Sequence, residues 1–163
     1  LVGPQGEVHA TDIDLHRLER LRSRAAKAEA HILIHGKEAP ANMRASRVLV
    51  DAPCSELGVL RRGPDLRWRL DPSLVKSLPQ IQRHLIDRGL RHLAPGGRLV
   101  YATCTITREE NEAVVEAVLD SHPELVLVRP SLPEALLDAR GCLFLTPHRH
   151  GTDGFFGAVF THR

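Results

Sequence analysis

Residues 79–105 read PQIQRHLIDRGLRHLAPGGRLVYATCT, and the fold turns on how this stretch is divided. Ile81, Leu85, Ile86, Leu90 and Leu93 recur at helical spacing, which predicts a helix over Pro79–Leu93. Ala94-Pro95-Gly96-Gly97 predicts its end, and Arg98–Thr103 (RLVYAT) reads as an apolar strand. Upstream, Arg47–Asp51 (RVLVD) is a second apolar strand that ends in a carboxylate, followed by a loop rich in Pro, Gly and Arg from Ala52 to about Pro72. Strand, helix, strand in this order is a crossover unit, and it predicts parallel strands of one sheet.

The rest of the chain repeats the alternation. Glu7–Ile13 reads as a strand, Leu15, Leu18, Leu21, Ala25 and Ala28 as a helix face, and His31–Ile34 as a short strand. Arg108–Leu119 is amphipathic, and short strands follow near Leu125–Val128, Cys142–Leu145 and Phe155–Thr161. The Gly-containing connection at Gly151–Gly154 predicts an antiparallel hairpin at one edge of the sheet. The expected class is therefore α/β, a doubly wound and mostly parallel sheet. In such sheets ligands bind at the carboxyl ends of strands, which selects Asp12, Asp51 and Thr103-Cys104-Thr105.

Composition narrows the partners. The chain has 163 residues, 42% of them hydrophobic, with a formal net charge of +2, so it can bury a core and is not a disordered polyelectrolyte. No apolar run reaches the roughly 20 residues that a spanning helix needs, and the opening LVGPQGEVHATDID is not a secretory signal. Three cysteines without a CxxC do not make a disulfide framework, so a cytoplasmic setting with free thiols is expected. Nineteen arginines against three lysines suit planar contact with phosphate, and also fit a GC-rich genome.

Four segments carry chemistry. In ATDID, Asp12 is placed to accept from ribose hydroxyls and Asp14 to cap the following helix. In Asp51-Ala52-Pro53-Cys54-Ser55, proline turns the chain out of the sheet and presents a carboxylate beside a thiol; the same peptide also reads as a packed cysteine in a turn. Cys104 leaves the end of another strand, and the two thiols lie side by side if those strands are neighbours. Cys142, His148 and His150 match no common zinc spacing, so no metal site is expected. Finally, Arg61, Arg62, Arg67 and Arg69 surround Trp68, the single tryptophan, in the loop. Guanidinium groups bind phosphate and an indole stacks on bases, although a solvated loop with a tryptophan tucked into the core has the same composition. Glu109-Glu110-Asn111-Glu112 reads as the acidic opening of a helix, with Asn111 able to brace the Cys104 loop. Asp153-Gly154-Phe155-Phe156 reads as a turn feeding a core strand.

Together, DAPCSELGVLRRGPDLRWR (51–69), APGGRLVYATCTITREENEAVV (94–115), TDGFFGAVF (152–160) and, more loosely, ATDIDLHRLERL resemble the Nop/Sun (Fmu-type) RNA cytosine-5 methyltransferases. The resemblance implies a Rossmann-like fold that uses S-adenosylmethionine, held in part by Asp12, Asp51 and Pro53. It implies Cys104 as the nucleophile that adds to cytosine C6, Cys54 as the thiol that assists release, and Asp51 as the group on the N3/N4 edge of the base. It implies an RNA substrate, ribosomal or transfer, contacted by Arg61, Arg62, Arg67 and Trp68, with the target base unstacked. Family members carry an earlier strand and a Gly-rich cofactor loop. Residues 1–163 are thus expected to be a partial catalytic domain, with a gap in the sheet whose exposed edges invite pairing with another copy. His35-Gly36-Lys37-Glu38 departs from the family, with Lys37 where an aspartate is expected. Two other readings compete: a catalytically incompetent RNA-binding piece, and a DNA cytosine-5 methyltransferase that attacks through Cys54.

Overall fold

The computed structural model describes Gly3 and residues 6–163, which fall into two units, Leu1–Met43 and Arg44–Arg163. In the first, β1 (Val8–Ala10) pairs in parallel with β2 (Ile32–Ile34). Between them runs α1 (Leu15–Lys27). Asp14 starts that helix, its carboxylate accepting from the His16 and Arg17 N–H groups, and Leu18 is its buried residue.

The second unit is built on β3 (Ala45–Asp51), a short helix α2 (Leu66–Arg69), α3 (Pro72–Leu90) and β4 (Leu93–Thr103). After these come α4 (Glu112–Ser121), β5 (Leu125–Leu127), β6 (Leu143–Leu145), α5 (Pro147–His150) and β7 (Phe155–His162). β3 and β4 are parallel, as the crossover predicts, and are neighbours, from Arg47 opposite Arg98 to Asp51 opposite Ala102. α3 packs on both strands and on α4. Close approach depends on Gly89, where a Cβ would stand 2.8 Å from Leu99 and 3.0 Å from Val50.

Several boundaries differ from expectation. α3 begins at Pro72 rather than Pro79, because Asp71 caps it by accepting from the Ser73 N–H at 2.8 Å and Pro72 takes the first turn, where no N–H is needed. Pro79 is carried inside the helix. The Ala94–Gly97 segment is not a helix terminator: α3 has already ended, Leu93 is in the ladder, and the segment is accommodated where the register shifts between Ala45 and Arg47, with Gly96 at φ +70°. The loop from Ala52 to Pro72 holds a 3₁₀ turn at Leu57–Val59 as well as α2.

The terminal pairing is antiparallel, but β7 does not form an edge. It lies against β4 on one side and against β5 and β6 on the other, its Phe156–Gly157 half meeting β6 and its Phe160–His162 half meeting β5. Apolar residues that alternate along a central strand explain this: Phe156, Ala158 and Phe160 are fully buried beside Thr103, Tyr101 and Leu99 of β4. With Ile86, Val114, Val115 and Val118 they form the core. At the other side of the sheet, β3 pairs only with β4 among the described residues, leaving Leu49 exposed. No helix among the described residues is long and apolar enough to cross a membrane.

Candidate active site

The β3–β4 register brings two chain exits together. The ladder extends one residue past β3 through the Ala52 N–H to the Ala102 carbonyl at 3.0 Å, after which both strands turn out of the sheet. Pro53 turns one, and Cys104 follows Thr103 at the end of the other. The result is a Cys54–Cys104 Sγ–Sγ distance of 3.4 Å. That is too long for a disulfide, near 2.05 Å, and right for a thiol donating to a thiolate. Both sulfurs are half-buried and both cysteines are free.

The two thiols are not equivalent. Cys104 donates its S–H to Cys54, and the backbone N–H groups of Glu56 and Cys104 also face the Cys54 sulfur; these donors outweigh burial and hold its pKa below the ordinary thiol value. Glu56 takes the left-handed conformation, φ +58°, in the turn that brings its N–H there. Cys104 is pushed up, first because its proton is committed to Cys54, then by burial and by the nearby negative charge of Cys54, Glu56 and Asp51. The two shifts run in opposite directions, so Cys54 is the readier of the two to lose its proton.

Beneath the sulfurs lies a buried polar platform. Glu110, 1% exposed, accepts from the N–H and hydroxyl of Ser55, from Gln82 Nε2 at 3.0 Å and from the Thr107 hydroxyl at 3.0 Å. Gln82 also donates to the Pro53 carbonyl at 2.9 Å. Asn111 accepts from the Thr103 hydroxyl at 2.7 Å and donates to the Thr105 carbonyl at 3.1 Å, the brace on the Cys104 loop that the sequence suggested. Ser55 and Thr105 hydroxyls meet at 2.8 Å, and Tyr101 donates to the Glu110 carbonyl. The acidic run opens the helix as expected only at its end, with Asn111 at the N-cap and Glu112 in the first turn. α4 starts at Glu112, and Glu110 is spent on joining the two cysteine loops. Glu110 and Gln82 were missed because a glutamate in an acidic run and a glutamine in a helix read as surface residues. The one clue is that Ser55, Thr103, Thr105 and Thr107 supply hydroxyls that a buried acceptor would use.

The arginine loop is open. Trp68 is 79% exposed, which excludes a tryptophan tucked into the core, and the Arg67 guanidinium lies 4.8 Å from its ring centroid. Arg69 pairs with Asp65 at 2.8 Å. Arg61 and Arg62 turn instead to Asp153.

In the first unit Asp12 is half-buried at the exit of β1. Its Oδ1 accepts from the Asp14 N–H at 2.8 Å, and its Oδ2 lies 3.9 Å from Arg17. Asp51 and Pro53 are exposed at the exit of β3. In each unit a carboxylate thus stands at a strand exit, an acceptor and a negative charge of the kind that ribose hydroxyls and a sulfonium call for. Among the described residues no cluster of three or more His, Cys, Asp or Glu could hold a metal ion.

Residues 1–161 match the family model described as 16S rRNA methyltransferase RsmB/F. The chain belongs to this methyltransferase family. The family uses S-adenosylmethionine, and its fold is the Rossmann-like fold that the resemblance implied. Among its relatives, the ribosomal RNA small subunit methyltransferase B of Vibrio cholerae is 35% identical over 97% of this chain and 36% of its own length. The probable enzyme of that name from Bacillus subtilis is 35% identical over 96% and 38%. The crystal structure of NSun6 from Pyrococcus horikoshii with SFG, an analogue of S-adenosylmethionine, superposes with a TM-score of 0.81 at 27% identity, over 96% of this chain and 41% of that one. The family member described here spans little more than a third of the length of these curated relatives.

Proposed function

We propose that the protein transfers a methyl group from S-adenosylmethionine to C5 of a cytosine in RNA, through a covalent bond between Cys104 and C6. The observation that carries this reading is the 3.4 Å thiol pair at the shared exit of two parallel strands. When bound, S-adenosylmethionine supplies a methyl on positively charged sulfur, and Asp12, Asp51 and Pro53 are the residues proposed to hold it. The chain's task is to make C5 reactive. As Cys104 Sγ bonds to C6, its proton passes to the Cys54 sulfur, and the electron pair of the C5–C6 double bond becomes enamine-like and available at C5. Asp51 meets the N3/N4 edge and accepts from the N4 amino group. After methylation a base removes the C5 proton, the C6–S bond breaks, and Cys54, now protonated, returns its proton to the departing Cys104 sulfur. Cys54 so helps both to make and to undo the bond. Arg61, Arg62, Arg67 and Trp68 are the proposed contacts to RNA, ribosomal or transfer, the indole stacking on an unpaired base.

The test is trapping on RNA that carries 5-fluorocytosine, where the fluorine blocks elimination. Cys104→Ala is expected to abolish the adduct; Cys54→Ala, which lacks the sulfur that takes the proton, is expected to form it more slowly and then to leave it in place or increase it, since the thiol that assists release is gone. A second reading, attack by Cys54 as in DNA cytosine-5 methyltransferases, is favoured by the ease with which Cys54 ionises. The opposite pattern of adducts would establish that reading and overturn the first.

A further inference from the structure

The turn before β7 contains a carboxylate that the proposed chemistry does not use. Asp153 is 4% exposed, and its two oxygens face two consecutive arginines: Oδ2 lies 2.6 Å from Arg62 Nε and Oδ1 3.2 Å from Arg61 Nε. Oδ1 makes no well-formed hydrogen bond, so its attraction to Arg61 is one of charge. Arg61 spends one terminal nitrogen on the Gly151 carbonyl at 3.0 Å. The remaining guanidinium edges face solvent, with the side chains 53% and 77% exposed. One buried negative charge thus orients two positive ones and leaves an excess of one.

The place of this turn is fixed by backbone. The Gly154 N–H donates to the Gly58 carbonyl at 2.8 Å, and the Gly58 N–H donates to the Cys104 carbonyl at 3.0 Å. A Cβ on Gly58 would stand 2.3 Å from the Gly154 oxygen and 2.7 Å from the Cys104 oxygen, and one on Gly154 would stand 2.4 Å from the Ile106 side chain. Three chain segments meet here with no room for a side chain, so Asp153 is held in register with the Cys104 loop.

We propose that Asp153 is a positioning residue that holds Arg61 and Arg62, by their Nε atoms, as a paired grip on the RNA phosphate backbone beside the thiol pair. Anchored through Nε, Arg62 keeps both terminal nitrogens for bidentate contact and Arg61 keeps the one not given to Gly151, and fixing them on the protein lowers the ordering cost when phosphate arrives. The inference rests on the RNA reading above and adds to it the element that aligns the backbone.

The experiment measures binding of a short single-stranded RNA by the full-length protein across a range of salt concentrations. Asp153→Asn, which keeps shape and removes charge, is expected to weaken binding by roughly tenfold at low salt and to reduce the slope of log affinity against log salt by about one for each phosphate no longer neutralised. The exposed double variant Arg61→Gln/Arg62→Gln is expected to lower the slope as much or more, and adding Asp153→Asn to it should change the slope no further. A lower melting temperature for Asp153→Asn with an unchanged slope would make the residue a structural brace and overturn the proposal. Should that variant fail to fold, an unchanged slope in the double arginine variant overturns it equally. Adduct formation by the unaltered protein on 5-fluorocytosine RNA reports separately on the methyltransferase reading, so the two can fail independently.

Discussion

The loops that carry the cysteines and the loop that carries the arginines begin at the same strand exit but are held in opposite ways. Cys54 and Cys104 rest on a buried lattice in which Glu110, Asn111, Gln82, Ser55 and Thr105 are all essentially inaccessible. Arg67, Trp68 and Arg69 lie on a short exposed helix with one cation–π contact and one surface ion pair. The difference fits the tasks proposed above. A sulfur that must meet one carbon atom cannot tolerate displacements of an ångström, whereas stacking and phosphate contact accept many arrangements. Asp153 sits between these regimes, a buried group that holds exposed ones.

The contrast is most easily broken at Glu110. Glu110→Ala removes the acceptor shared by Ser55, Gln82 and Thr107 and is expected to cost about 3 kcal/mol or more, read from denaturant unfolding, because several buried donors lose their partner at once. A smaller effect sharpens the picture within the platform. In the absence of RNA near neutral pH, iodoacetamide should modify Cys54 before Cys104, by roughly tenfold or more in rate, since the thiolate is the reactive form. The sign follows from the shifts: Cys54 is lowered and so ionises first as pH rises, while Cys104 is raised and follows it. Peptide mapping of the labelled protein checks this. The smallest effect belongs to the open loop. Trp68→Ala should leave unfolding free energy within about 0.5 kcal/mol, as expected for an exposed side chain, while it weakens single-stranded RNA binding by about 1 kcal/mol. A large loss of stability would show that the loop is part of the packed structure after all.

Much of the frame was legible in the amino-acid order because strands and helices announce themselves by period. Arg47–Asp51 and Arg98–Thr103 both read as apolar strands flanking a helical repeat, and the parallel direction of the pairing that places Cys54 beside Cys104 follows from that arrangement. Asp14 as a cap and Asn111 as a brace were legible too, since short polar side chains at chain exits have few other uses. What stayed hidden depends on tertiary neighbours. Asp71 and Pro72 begin a helix seven residues before the expected start, a signal masked by the Pro79 within it. The central place of β7 depends on which strand its buried phenylalanines meet, which no local pattern states. The burial of Glu110 and Asp153 could not be read at all, because a carboxylate looks the same in sequence whether it faces water or holds two loops together.

That β7 follows the other strands of its sheet in chain order, yet lies in the middle of it, bears on how the protein matures. β4, which ends at the proposed nucleophile, has one flank open until the synthesis of Phe155–His162 is complete, so the aromatic layer that seals the core arrives late. During translation the flank of β4 turned away from β3 therefore stays bare until this strand docks, a window in which a chaperone has apolar surface to hold.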